Sequence, residues 1–418
     1  MIKSYAMDVE IFPNLFSVTF VNLTSYLQTF ADCVDDRGNP VPLSNKLSVA
    51  EIKDRLDKVE SNIFWISDTN DEQLLPLVAF INSMETVYRK HKNAEGKIVN
   101  EAVRTDLFGF NNQGYDDMMI KTFMMYFNRF DTSKRLITKL KEISDRVISL
   151  QNDKDALFND RELKLIRENR LPYTTIDVQQ IFALNASSVL IDKDTGERKK
   201  VPKSLKQTSI NLKWHELLDF TLPPIEREEQ QRYWNKIDSY RGLPLEQLNL
   251  LVTNDFNRYV LPKYIEPMLY YNKNDVFLVC EIARQKPDEI RLRYSISSAF
   301  NLNTYCSSRA NIADKLVTKF YADMTGLHKS RFEKLRTERT KLSFDKIIFP
   351  HIKFKTKELQ DLLEEMMKVS VYRTTKDAFS KEIEFYGTTY TLACGGIHTK
   401  DVPVILHSDD EYIYKHFD

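Results

Sequence analysis

The 418-residue chain predicts an α/β protein with a mixed sheet and helices packed on its faces. Three observations carry this. The first twenty-three residues alternate apolar and polar side chains in two runs joined by Pro13-Asn14, the pattern of an antiparallel hairpin. An apolar run at 107–111 passes through a short polar stretch directly into a helical pattern. Beyond it helical periodicity dominates, and glycine is scarce: ten residues, against about 7% in average usage.

Taken in order, Tyr5 to Asn14 reads as a strand with Met7, Val9 and Ile11 on one side and Asp8 and Glu10 on the other. Leu15 to Leu23 alternates again and returns beside it. Residues 32–46 are a polar loop, Asn62 to Ser67 a third strand, and Gln73 to His91 an amphipathic helix followed by a loop at Lys92–Lys97. Leu107 to Asn111 is a strand that runs into Asn112-Gln113-Gly114-Tyr115-Asp116, then a Met-rich helix at 116–128. Residues 132–170 read as charged helix, more variable in character than the core elements. Tyr173 to Asp177 is a strand, and Leu190 to Val201 a hairpin around Asp194-Thr195-Gly196. Helices dominate from about Leu245 to Ala283. The Gln285-Lys286-Pro287 segment marks the expected boundary between a domain of residues 1–285 and a mainly helical one of residues 286–418. The latter has helices at 288–299, 309–325 and 356–368, then short strands about Gly395-Gly396.

Composition excludes several classes of function. Sixty basic residues balance sixty acidic ones, so no global field announces nucleic acid or membrane, and any basic surface is local. Two stretches, Lys193–Lys213 and Lys329–Lys346, are locally basic and read equally as phosphate-steering or solvated faces. The four cysteines are scattered and form no zinc or disulfide pattern, which predicts a reduced, cytoplasmic protein. No apolar run has transmembrane length, and charges at positions 3, 8 and 10 exclude a signal peptide.

Chemistry concentrates in three places. Asp8 and Glu10, two apart on a strand, project from one face; their repulsion is relieved by a divalent cation with oxygen ligands. The same spacing recurs at Asp160 and Asp409, but only Asp8 sits in an apolar strand; the plain alternative is a solvated strand face. Asp116 falls at a strand–helix junction, where ligands of open α/β sheets bind. Alone it reads as a helix N-cap, with Asn111 and Asn112 as turn residues. Tyr271 and Asp275 stand four apart in a helical pattern and share a face, which is also how a partly exposed helix looks.

In that order, Asp-x-Glu, Asn-x-x-Tyr-Asp and Tyr-x-x-x-Asp resemble the three exonuclease motifs of the DEDDy family, and in particular the proofreading domain of family B DNA polymerases. The resemblance covers about residues 1–285. It implies a ribonuclease H-like fold and a 3′–5′ exonuclease holding two Mg2+ or Mn2+ ions on Asp8, Glu10, Asp116 and Asp275. Asp8 would bridge the ions, Tyr271 would orient the attacking water, and Asn112 would help hold the 3′ end, with Asn111 and Tyr115 as further candidates. Such chemistry needs charge cover for the attacking and leaving oxygens of an in-line displacement, which two cations ~3.5–4 Å apart provide.

Two later stretches extend the likeness. Ser204 to His215 resembles a segment of polymerases from tailed phages of gut bacteria, and Tyr390 to His398 the Tyr-x-Gly-Gly connector between exonuclease and polymerase domains, the plain alternative for the latter being a glycine turn in a hairpin. Ile413 to Asp418 has the character of the strand that opens the polymerase palm, whose remaining motifs are absent. The expectation is an exonuclease portion that meets the 3′ end of single-stranded DNA, primer–template DNA and downstream polymerase domains, in cis or as a split subunit, with no membrane partner. If phage-encoded, it would act in the host cytoplasm. A freestanding exoribonuclease and a non-catalytic DNA-binding module are the alternatives.

Overall fold

The computed structural model describes residues 2–92, 98–150, 159–181, 189–191, 198–200, 204–222, 258–332, 340–372, 380–385, 387–393 and 396–400. The chain divides into two compact units, Met1–Tyr321 and Ala322–Asp418.

The first unit is α/β, built on a six-stranded mixed sheet. Strands β1 (Ile2–Phe12) and β2 (Leu15–Asn22) form the expected hairpin, with Asp8 opposite Thr19 and Val9 opposite Val18. β3 (Ser61–Ser67) adds antiparallel to β2. On its other side β1 pairs in parallel with β5 (Ile98–Gly109), which pairs in parallel with β6 (Thr174–Asp177). β1 is therefore an interior strand, bonded on both edges. β2 is buried along nearly its whole length, its polar Ser17 and Thr19 included.

Each face of the sheet carries its own core. Met7, Val9, Phe16, Val18 and Phe20 pack with side chains of α3 (Leu74–Asn82), α4 (Asp116–Tyr126), α5 (Ser133–Leu150) and α6 (Arg161–Glu168). Ala6, Val21 and Phe108 face the other way. They meet α1 (Leu23–Thr29), α2 (Val49–Leu56) and a long helix, α9 (Pro262–Gln285), which supplies Val276, Val279, Cys280 and Ala283. The two-residue alternation of β1 therefore aims Met7 and Val9 at one helical layer and Ala6, Asp8 and Glu10 at α9. Between these lie α7 (Val178–Ile181) and α8 (Leu205–Asn211), and beyond α9 come α10 (Pro287–Phe300) and α11 (Arg309–Thr325).

The structure corrects several expectations. The helix expected over Gln73–His91 stops at Asn82; Val87–Lys92 is instead strand β4, paired antiparallel with a β5 that begins at Ile98 and not at Leu107. Val87 and Tyr88 favour strand, and all but the first residue of the loop expected at Lys92–Lys97 lies outside the described residues. Two helices in the first sixty residues, α1 and α2, were readable from their caps. Asn22 caps α1, and Ser48 with Glu51 forms a capping box on α2. The helices Ser133–Leu150 and Arg161–Glu168 belong to the core: Leu136, Ile137, Leu140, Ile143 and Val147 of the first and Leu163 and Ile166 of the second are buried. The first compact unit also runs past the boundary expected at 285. Arg104 and Asp106 project from β5, and α10 with the loop after it answers them: the Tyr294 hydroxyl donates to Asp106, and Arg104 donates to the Tyr305 hydroxyl at 3.3 Å. Arg293 and Cys306 add bonds to the carbonyls of Gln180 and Thr175.

Of the expected hairpin at 190–201, Val189–Ile191 and Arg198–Lys200 pair antiparallel; its turn lies outside the described residues. In the second unit, Ser380–Phe385, Thr388–Ala393 and Gly396–Thr399 form a three-stranded antiparallel sheet around the expected glycine pair, of which Gly395 lies outside the described residues. A helix spans Lys357–Met367. Residues 413–418 lie outside the described residues.

The end of α9 is locked by a buried ion pair. Arg284 donates to Glu281 at 2.7 and 2.8 Å and to the carbonyl of Cys33 at 2.8 Å, and Tyr26 donates to Glu281 at 2.9 Å. Arg284→Met would strand Glu281 without its cation, at an expected cost of about 3–5 kcal/mol in urea denaturation. Adding Glu281→Leu should recover most of that loss. A single-variant loss under about 1 kcal/mol would show that the pair does not hold the helix.

Candidate active site

The three stretches singled out in the sequence meet at one end of the sheet. β1 places Asp8 and Glu10 on the α9 face and pairs there with β2, while its ladder to β5 ends at Ala6, so the two acids stand just past the point where the sheet's parallel pairing stops. Beyond Gly109 the chain turns sharply at Asn111, whose φ of 58° lies in the left-handed region that asparagine tolerates better than most residues. The Asn111 amide donates to Asp177 at 2.9 Å, which fixes that turn. Asn112 then folds beneath the strand end, so a Cβ on Gly109 would lie 2.5 Å from the Asn112 Cβ; only glycine fits there. Helix α4 begins at Asp116, and Tyr115, not Asp116, takes the N-cap position.

Asp275 comes from α9, opposite the sheet. Mutual repulsion ties the four acids together. Burial pushes Asp8 up to about 8, with Asp275 adding to the rise, while the Val9 amide and Asn272 oppose it. Glu10 is held well above the usual carboxylate range by burial, then by Asp8 and Asp275. Asp116 is raised by burial, then by Asp8, Asp117 and Glu10. Asp275 is pushed up to about 6 by burial, offset by a hydrogen bond from Tyr271 and by the charge of Lys206. The Tyr271 phenol is raised by burial and by Asp275, and so stays protonated at neutral pH.

Other buried acids of this protein have partners that answer them. Asp117 accepts from Tyr173 at 3.2 Å and Thr175 at 2.6 Å, Asp177 from two backbone amides, and Glu281 from Arg284. Glu162, equally acidic in sequence, takes Arg146, and Asp160 caps α6. Among the described residues no Lys or Arg pairs with Asp8, Glu10, Asp116 or Asp275. Asp8, Glu10 and Asp275 keep part of their surface accessible, so a solute can reach them.

This donor set fits hard divalent cations such as Mg2+ or Mn2+: all-oxygen, multiply negative and uncompensated by protein cations. Among the described residues no three His, Cys, Asp or Glu side chains close into a metal-ligating cluster, so the four carboxylates converge without reaching ligating positions. Like charges in a low-dielectric crevice hold apart in this way.

The expected substrate contacts separate. Asn111 is exposed; Asn112 is fully buried, its side-chain Oδ1 accepting from the Gln113 amide at 3.1 Å and its Nδ2 without a partner. The Tyr115 hydroxyl is bonded to Ser144 at 2.7 Å. Beside Glu10 opens a cleft of ≈ 530 Å³, lined by Phe12, Tyr115, Lys141, Phe220 and Arg258 among others. Phe220 stacks on Tyr271 with ring centroids 6.1 Å apart and meets Phe12 edge-on at 5.9 Å. Sequence reading missed Phe220, Asn272, Asp117 and Asp177.

A stability profile tests the coupling. The folded values of Asp8 and Asp275 lie above those of the unfolded chain, so their contribution is fully present below about pH 4 and is lost as pH rises through about 6 and 8. In EDTA the melting temperature of the wild type should therefore fall across that window. Asp8→Asn, which cannot ionise, should flatten the fall and melt at least about 3 °C higher at pH 8. Parallel profiles for the two proteins would refute the coupling. Compared with known proteins, the chain matches no family model, no curated protein and no solved structure.

Proposed function

We propose that the chain is a metal-dependent 3′–5′ DNA exonuclease of ribonuclease H-like fold, the proofreading portion of a family B DNA polymerase. One observation carries the reading. Four acids from three separate elements meet at the end of the central strand, and among the described residues none of them forms an ion pair with a lysine or arginine. The mixed sheet, with its first acidic pair on an interior strand, agrees with it.

In this reading Asp8 stands between the others and would bridge two cations, Glu10 and Asp275 would hold one of them, and Asp116 the second. When bound, the ions would supply positive charge to the attacking and leaving oxygens of an in-line displacement at phosphorus. The chain's own residues do the rest. Tyr271, protonated and hydrogen-bonded to Asp275, positions and does not take the proton. Phe12 and Phe220 offer aromatic faces to an unpaired terminal base, and Arg258 and Lys141 stand near the path of the strand. Because Asn112 is buried beneath Gly109, its part would be to shape the loop before Asp116, which leaves the exposed Asn111 as the candidate for touching the 3′ end. Downstream polymerase domains, in cis or as a split subunit, and primer–template DNA are the partners this role implies.

Degradation of 5′-labelled single-stranded DNA should proceed from the 3′ end with Mg2+ or Mn2+ and stop in EDTA. Asp8→Ala should lose at least about a thousandfold in rate while remaining folded, since it removes the shared ligand. Full activity in that variant, or in EDTA, would end the assignment. Tyr271→Phe separates roles: turnover should fall while Mn2+ affinity stays near wild type, whereas Asp275→Ala weakens both.

A further inference from the structure

Asn272 lies one residue after Tyr271 and three before Asp275, about 100° around α9 from the tyrosine and turned towards the sheet. It is fully buried. Its Nδ2 donates to Asp8 Oδ2 at 2.7 Å across a sequence separation of 264 residues, while its Oδ1 has no partner. A buried amide that leaves half of its bonding capacity unused costs stability, so the half that is used must matter.

The surroundings show why. Asp8 projects from β1 towards α9, into a space where the other side chains of its kind are acids. By strand register its cross-strand neighbour is Thr19, a fully buried hydroxyl. That hydroxyl makes no hydrogen bond, so it does not orient the carboxylate. The Asn272 amide is the one side-chain donor on Asp8 among the described residues. It is neutral: it fixes one oxygen without cancelling the charge. A lysine in its place would neutralise the site, and an aspartate would add a fifth repelling carboxylate.

Resting on the metal reading given above, we propose that Asn272 is a positioning residue: by holding Oδ2 it fixes the rotamer of Asp8 and presents Oδ1 to the cations. It thereby makes α9 contribute twice to the site, once through Asp275 as a ligand and once through Asn272 as the support of a ligand on the opposing strand. Partners of this kind typically change metal affinity by about 10–100-fold when removed.

The test is Mn2+ titration calorimetry on the full chain without DNA. Asn272→Leu keeps the branched shape and removes the donor, and Asn272→Ser serves the same purpose should the leucine variant fail to fold. Thr19→Val, at the same depth beside Asp8, controls for general disturbance of the crevice, and Asp8→Ala sets the floor. The expected result is a Kd for Mn2+ about 10-fold or more weaker in the Asn272 variants, near wild type in Thr19→Val, with cooperative melting in EDTA throughout. Wild-type affinity in the Asn272 variants alongside loss in Asp8→Ala overturns the role of Asn272 alone. Equal loss in Thr19→Val also overturns it, as a packing effect. Absence of Mn2+ binding by the wild type, or unchanged binding by Asp8→Ala, overturns the metal reading itself.

Discussion

Mutual repulsion among Asp8, Glu10, Asp116 and Asp275 is the constraint that the first unit is built to withstand. Each of these groups would be more comfortable in water or beside a cation, and burial raises all four. Left to themselves, side chains in this position would force their supporting elements apart. The supports therefore have to be stiff. β1 is paired with β5 over Ile2–Ala6 and with β2 over Tyr5–Phe12, and both faces of the sheet around it are covered by packed apolar side chains.

Helix α9 bears the other half of the load, and it is pinned on both sides of the acid it carries. Just before it, the Asn14 side chain exchanges two 2.9 Å bonds with the backbone of Val260, tying the β1–β2 turn to the approach of the helix. At its far end Arg284, held by Glu281, donates to the carbonyls of Cys33 and Val41. Asp275 and Asn272 lie between these anchors. A group held from two ends of one helix keeps its position against a repulsive force that a loop would yield to.

The sequence made the acids legible and left their supports obscure. Period-two alternation fixes which way Asp8 and Glu10 point, because a strand has only two faces, and helical spacing joins Tyr271 to Asp275 for the same reason. Asp116 was legible as the end of an apolar run. What escaped notice depended on contacts between residues distant in the chain. Asn272 finds Asp8 across 264 residues and Asp177 reaches back 66 to hold the Asn111 turn, and no local pattern encodes either. The misread helix at Gln73–His91 shows the same limit. An amphipathic period continued into residues that a partner strand, β5, recruits for pairing.

The contrast between answered and unanswered acids separates structure from chemistry within one small protein. Asp106 receives Tyr294 and Arg104, Asp117 two hydroxyls, Glu281 an arginine and Glu289 two. Those groups hold elements together, and their arrangement is what folding alone requires. Among the described residues no lysine or arginine reaches Asp8, Glu10 or Asp116, although β5 and α10 show that an arginine and a tyrosine can be brought to a buried carboxylate on this same sheet. This acidic set sits at the sheet's end, beside a cleft of ≈ 530 Å³, with part of its surface reachable. Negative charge that the protein leaves unbalanced, and then spends two anchored elements to keep in place, is charge reserved for a ligand of opposite sign.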